Sequence, residues 1–136
     1  MKLLLDTHIW LWSALDPRHL SRRVSLALED PQNEVWLSSI SVWEALVLAR
    51  KKRLLLEPSP EQWMRKALRE LPLKEAPLTH EVAVLSETVK IGHADPADRF
   101  LVATAMVYEL TFVTADKRLV RSRHVPVLAN AGGSAP

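Results

Sequence analysis

The chain has 136 residues, of which 48% are hydrophobic and 25% charged, a composition that predicts one soluble globular domain and excludes a disordered chain. No apolar run approaches the roughly 20 residues of a membrane span, and Asp6 interrupts the first apolar run too early for a signal peptide, so the expected location is cytoplasmic. The absence of cysteine excludes thiolate nucleophiles and cysteine-type zinc sites, which leaves Asp, Glu and His to hold any metal.

Strands and helices alternate along the chain. The predicted strands are KLLLD (2–6), EVWLS (34–38), LKEAPL (73–78), LTFVT (110–114) and VPVL (125–128), each short and apolar or alternating. Helices are predicted after the first strand up to Leu15, from Ser21 to before Pro31, over 39–53, 60–71 and 80–89, from Pro96, and as a turn from Ala115. Such alternation predicts an α/β fold with a parallel sheet covered on both faces, in a single domain over 1–128 with a flexible tail over 129–136.

The stretch HADPADRFLVATA (93–105) has the features of a helix start followed by a buried helix. Asp95 is the expected N-cap, Pro96 occupies the first helical position and Asp98 the third. The residues that follow are apolar nearly all round, which implies burial by the sheet, by other helices or by a second subunit. By itself this stretch favours two capping acids with no catalytic role.

Four acids are expected at one rim of the sheet. Asp6 and Asp116 lie at or just after the ends of predicted strands, and Glu44 and Asp98 lie in the first turns of predicted helices. Ligands of open α/β sheets bind beyond the carboxyl ends of the strands, so the fold would bring these acids to one rim. Two carboxylates about 5 Å apart repel by roughly 3 kcal/mol at an effective dielectric of about 20, and such a cluster takes up protons or binds cations. All-oxygen ligation suits Mg²⁺ or Mn²⁺.

The charge balance is compatible with a polyanionic partner. The chain has 18 basic and 16 acidic residues, and four acids in a metal pocket would leave 18 against 12, a surface of +6. Basic residues cluster at 50–53 and at 116–124, where they are candidates for contacts with a nucleic-acid backbone. Each cluster judged alone is equally consistent with a solvated helix face.

Four segments, in order and with their spacing, resemble the PIN-domain ribonucleases, and specifically the VapC-like toxins of toxin–antitoxin pairs. The segments are LLLDTHIWLW (3–12), SSISVWEALVL (38–48), HADPADRFLVATA (93–105) and LTFVTADKRL (110–119). The resemblance implies a PIN-like α/β/α sandwich with a mainly parallel central sheet. One departure is Leu48, where relatives often have a lysine, and it puts substrate contacts from that helix in doubt.

The resemblance also implies an activity, a cofactor and partners. The activity is that of a Mg²⁺- or Mn²⁺-dependent endoribonuclease in which Asp6, Glu44, Asp98 and Asp116 are the catalytic and metal-binding residues. Thr7 and Thr114 fit as hydroxyl groups that orient these carboxylates. The implied partners are an RNA substrate and a small VapB-like antitoxin protein.

Two other functions are also consistent with the sequence. A receiver-like signalling domain also gathers acids at strand ends, although LLLDTH and FVTADK fit its pattern poorly, and a PIN fold could serve as a catalytically silent RNA-binding module. Core packing is expected for Trp36 and Trp43, and a groove or subunit interface for Trp10, Trp12 and Trp63. Together with the all-round apolar helix, these tryptophans indicate a homodimer.

Overall fold

In the computed structural model, which describes residues 1–91, 95–121 and 123–131, five strands form one sheet. The strands are β1 (Lys2–Leu5), β2 (Glu34–Ser38), β3 (Leu73–Ala76), β4 (Thr111–Thr114) and β5 (Val127–Ala129). They lie in the order β3-β2-β1-β4-β5, and every neighbouring pair is parallel. The predicted α/β class and parallel sheet are confirmed.

Within the described residues, seven α-helices connect and cover the strands. They are α1 (Thr7–Leu15), α2 (Arg22–Glu29), α3 (Ser39–Arg50), α4 (Pro60–Glu70), α5 (His80–Ser86), α6 (Pro96–Tyr108) and α7 (Lys117–Val120), with a 3₁₀ turn at Pro17–His19. In each α-helix the N-cap side chain accepts a hydrogen bond from a backbone N–H of the first turn. The caps are Asp6, Ser21, Ser38, Ser59, Thr79, Asp95 and Asp116. Local chemistry readable in the sequence thus sets where the helices start.

The core has two layers, one on each face of the sheet. Side chains of a strand alternate between faces, so Leu3 and Leu5 pack with α1–α4 while Leu4 packs with α5–α7. In β4 the same alternation sends Val113 to the first layer and Phe112 to the second. Burial on both faces explains why β1 is an unbroken apolar run and gives the predicted α/β/α sandwich.

Three helices end earlier than predicted, and the one predicted over 60–71 does so by a single residue, at Glu70. The helix predicted over 39–53 ends at Arg50, because Lys52 adopts a left-handed conformation (φ 59°) and the N–H groups of Lys52 and Arg53 bond back to Ala49 and Leu48. This closing arrangement is usually built on glycine, and here a lysine takes that place. The helix predicted over 80–89 ends at Ser86.

The C-terminal boundary differs from the expected one. The strand predicted over 125–128 lies at Val127–Ala129, so the first residue of the predicted tail belongs to β5. Asn130 is also tied to the domain, because its N–H donates to the Thr114 carbonyl and its side chain bonds to Ser21 and His19. Hydrogen bonds between segments far apart in the sequence leave no local pattern that could predict them. Residues 132–136 lie outside the described residues.

The tryptophans correct two expectations. Trp10, expected at a groove or interface, is fully buried in the first core layer, because the first half of α1 packs into that layer with Ile9 and Leu11. Trp43, expected in the core, is 58% exposed on α3. Trp12 and Trp63 are half-buried against the first layer, and Trp36 against the second. Within the described residues, no helix combines the length and hydropathy that crossing a bilayer requires.

Candidate active site

Asp6 lies at the carboxyl end of the central strand β1 and caps α1. Its Oδ1 accepts a hydrogen bond from the Thr7 N–H at 2.8 Å, and its Oδ2 accepts one from the Thr114 hydroxyl at 2.6 Å. Burial raises the pKa of this carboxyl to about 6. The hydrogen bond from Thr114 lowers the pKa and the charge of Asp98 raises it, but burial is the largest effect. The ionised form of Asp6 is therefore destabilised, and a bound cation would stabilise it.

Glu44 joins the site from the second turn of α3. Its Oε1 accepts a hydrogen bond from the Thr7 hydroxyl at 2.6 Å, and that hydroxyl lies 2.9 Å from the hydroxyl of Ser41. Burial raises the pKa of Glu44, and the charges of Asp95, Asp6 and Asp98 raise it further. Thr7 thus binds Asp6 through its backbone and Glu44 through its side chain.

Asp95 and Asp98 lie at the start of α6 and have different surroundings. Asp95 is exposed and accepts the Ala97 N–H at 3.0 Å, as the predicted N-cap would. Asp98 is half-buried one turn further on, and its charge acts on both Asp6 and Glu44. The charge of Asp95 acts on Glu44 as well, so the assignment of Asp98, more than Asp95, to the acidic site stays a prediction.

Asp116 lies two residues beyond β4 and caps α7. The backbone N–H of Asp116 donates to the Thr114 hydroxyl at 3.1 Å, so one threonine joins it to Asp6. The Asp116 carboxylate accepts the Arg118 N–H at 2.9 Å and forms an ion pair with the Arg118 guanidinium. The fourth acid is thus adjacent to the site and already paired.

The donor set has the chemistry of a hard-cation site. The charges of Asp6 and Asp98 raise the pKa of Glu44, and the charge of Asp98 raises the pKa of Asp6. All donor atoms of these three residues are carboxylate oxygens, which Mg²⁺ and Mn²⁺ prefer. Among the described residues, no three Asp, Glu or His side chains are grouped closely enough to hold a metal ion. The residues therefore fit a divalent ion in type and charge, and an ion would have to draw them together.

Two residues of the site were not assigned a role from the sequence. Ser41 is fully buried beside Thr7, three residues before Glu44 on the same helix, a spacing that places both on one face. Arg118 was predicted only as part of a basic cluster, and nothing in the spacing indicates that it pairs with Asp116. The predicted hydroxyl roles of Thr7 and Thr114 agree with their bonds to Glu44 and Asp6. His93, which precedes Asp95, lies outside the described residues.

Comparison with known proteins gives consistent results. The chain is 31% identical over 123 residues to ribonuclease VapC22 of Mycobacterium tuberculosis, with 90% of this chain and 92% of that protein covered. The solved structure of VapBC2 from Rickettsia felis, bound to a promoter DNA fragment, superposes with a TM-score of 0.71 at 17% identity, over 95% of this chain and 98% of that one. FitAcB from Neisseria gonorrhoeae superposes with a TM-score of 0.62 at 25% identity, over 94% and 97%.

The family assignment rests on nearly the whole chain. The PIN domain profile matches residues 3–124, a range that contains all four acids, three of the five strands in full and all of β1 except its first residue. A receiver-like fold is excluded by this match. The resemblance that the four sequence segments indicate is confirmed, and this chain belongs to the PIN domain family.

Proposed function

We propose that this protein is a Mg²⁺- or Mn²⁺-dependent endoribonuclease whose acidic site consists of Asp6, Glu44, Asp98 and Asp116. The observation that carries the proposal is the arrangement around Thr7 and Thr114, which hold Asp6 and Glu44 close together as half-buried carboxylates of raised pKa. A purely structural role would not require two half-buried carboxylates that repel each other. The ribonuclease assignment of a relative that is 31% identical supports the same activity.

The residues of this chain have separable roles in the proposed reaction. Asp6, Glu44 and Asp98 would bind the divalent ion, which supplies a bound water of lowered pKa and orients a phosphate. The hydroxyls of Thr114 and Thr7 fix one oxygen each of Asp6 and Glu44, so their remaining lone pairs point in set directions. The exposed side chains of Lys117 and Arg121 on and after α7 are suited to hold the RNA backbone.

The biological role we propose is that of the toxin in a toxin–antitoxin pair. Solved relatives include a toxin–antitoxin complex from Klebsiella pneumoniae, with a TM-score of 0.66 and 23% identity, and VapBC assemblies of similar fold. A small VapB-like antitoxin is therefore the proposed protein partner. We also propose that the chain forms a homodimer, with exposed apolar side chains such as Trp43 available for such contacts.

The test is cleavage of a panel of structured RNAs by the purified protein with Mn²⁺ or Mg²⁺, and with EDTA. Asp98→Asn should abolish metal-dependent cleavage, whereas Asp30→Asn, an exposed acid in the turn after α2, should leave it intact. Cleavage unaffected by Asp98→Asn would refute the proposed site. RNA binding without metal-dependent cleavage of any RNA would favour the silent binding module.

A further inference from the structure

Arg118 contacts the fourth acid of the site through three donors. Its Nε lies 3.3 Å from Oδ1 of Asp116, its Nη2 lies 3.1 Å from Oδ2, and its backbone N–H donates to Oδ1 at 2.9 Å. The guanidinium therefore engages both oxygens of one carboxylate side-on, the geometry that suits arginine best. These are the same oxygens that Asp116 would offer to a metal ion.

The guanidinium also lies in the field of the other acids. The pKa of Arg118 is raised, first by its hydrogen bond to Asp116 and further by the charges of Asp98 and Asp95. Arg118 is thus a cation at the edge of the whole acidic cluster and not only the partner of one side chain. A divalent cation that enters the cluster therefore competes with Arg118 for the same acids.

The contact is linked to the buried part of the site through one short path. The Asp116 N–H bonds to the Thr114 hydroxyl, and that hydroxyl bonds to Oδ2 of Asp6. The Arg118 and Asp116 side chains are 61% and 26% exposed, and exposed ion pairs of this kind are weak. The guanidinium can therefore leave Asp116 without disturbing the core.

We propose that Arg118 is an internal counter-ion of the acidic site, which neutralises Asp116 in the metal-free protein and competes with the divalent cation for that carboxylate. The proposal rests on the proposed function for the identity of the cation. Metal binding then includes displacement of the guanidinium, and this displacement lowers the metal affinity of the resting protein. Arg118 is a positioning residue in this scheme, because it acts through Asp116.

The first measurement is the affinity for Mn²⁺ alone, obtained by calorimetry and by the electron paramagnetic resonance signal of free Mn²⁺. Arg118→Gln should lower the dissociation constant by about three- to tenfold, since the competing charge is removed. Lys117→Gln removes the same charge from the adjacent exposed residue and should change the constant by less than about twofold. Equal effects of the two substitutions would overturn the proposal, because they would reflect net charge alone.

A double-mutant cycle tests whether the effect passes through Asp116. In an Asp116→Asn background, Arg118→Gln should change the Mn²⁺ dissociation constant by less than about twofold, since the competed ligand is already gone. An undiminished effect in that background would overturn the proposal. So would an Arg118→Gln protein that binds Mn²⁺ as the unaltered protein does, or more weakly.

A second readout is spectroscopic. The Arg118 Nε–H resonance, assigned by its loss in Arg118→Gln, should shift during titration with Mg²⁺, and a resonance that stays in place at saturating Mg²⁺ would contradict displacement. RNA cleavage is scored separately. Metal-dependent cleavage with equal Mn²⁺ affinities overturns only the counter-ion role, whereas no Mn²⁺ binding by any variant overturns both this role and the metal dependence.

Discussion

Asp6 and Asp116 follow the neighbouring parallel strands β1 and β4, and each caps the next helix, yet their environments are opposite. Asp6 is half-buried, and desolvation together with the charge of Asp98 raises its pKa to about 6. Asp116 is also half-buried but is paired with Arg118. Equivalent positions in chain and fold thus produce one destabilised anion and one neutralised anion. Capping chemistry positions a carboxylate, whereas the surrounding charges decide what it can bind.

The largest expected difference between the two acids is in catalysis. Asp6→Asn should reduce metal-dependent RNA cleavage by about 1,000-fold, and Asp116→Asn by only about tenfold, since the amide of the latter still caps α7 and the ion pair it loses is peripheral. The measurement is the initial rate of cleavage of one RNA substrate at saturating Mn²⁺, with folding checked by circular dichroism. Equal losses for the two variants would remove the distinction between a central and a peripheral acid.

The hydroxyl that joins the two acids should matter next. Thr114→Val keeps the side-chain shape but removes the donor to Asp6 and the acceptor of the Asp116 N–H, so metal affinity or activity should fall by about 10- to 100-fold. Thr111→Val, at the other end of β4, is the matched control and should leave activity unchanged within about twofold. If Thr114→Val behaved like its control, the hydroxyl would not be orienting Asp6.

The smallest predicted effect is on stability, where Asp6→Asn should stabilise the protein although it lowers activity. Because the pKa of Asp6 is raised from 3.8 to about 6 on folding, the folded state binds its proton more tightly than the unfolded state does. Its contribution to stability is therefore full below about pH 4 and is lost as pH rises through about 6. Asp6→Asn avoids this loss and should raise the free energy of unfolding at pH 7, without metal, by about 1–2 kcal/mol.

Thermal or urea unfolding at pH 4 and at pH 7 checks this prediction. The gain from Asp6→Asn should be near zero at pH 4 and fully developed at pH 7. Saturating Mn²⁺ should reduce the difference in stability at pH 7 between Asp6→Asn and the unaltered protein, because it stabilises the protein that retains the carboxylate. If Asp6→Asn destabilised the protein equally at both pH values, the ionised form of Asp6 would not be destabilised in the folded state.

Much of the fold could be predicted because it depends on local signals. The five strands are where apolar or alternating runs occur, and helix starts such as Ser59-Pro60 and Asp95-Pro96 agree with their caps. Helix ends were less predictable, since the left-handed Lys52 terminates α3 where glycine would be expected. Trp10 and Trp43 were assigned to the wrong environments, because aromatic residues within apolar segments do not reveal which face meets the sheet.

The sequence by itself determined the order of the strands and helices along the chain, the caps, and the four acids near strand ends or helix starts, because periodicity and capping act over a few neighbouring residues. Only the tertiary structure decided that Thr7 reaches Glu44, that Thr114 reaches Asp6, and that the guanidinium of Arg118 lies on Asp116 within the field of Asp98. The first two bonds join residues 37 and 108 positions apart. Burial, and with it the raised pKa of Asp6, exists only once distant segments pack together.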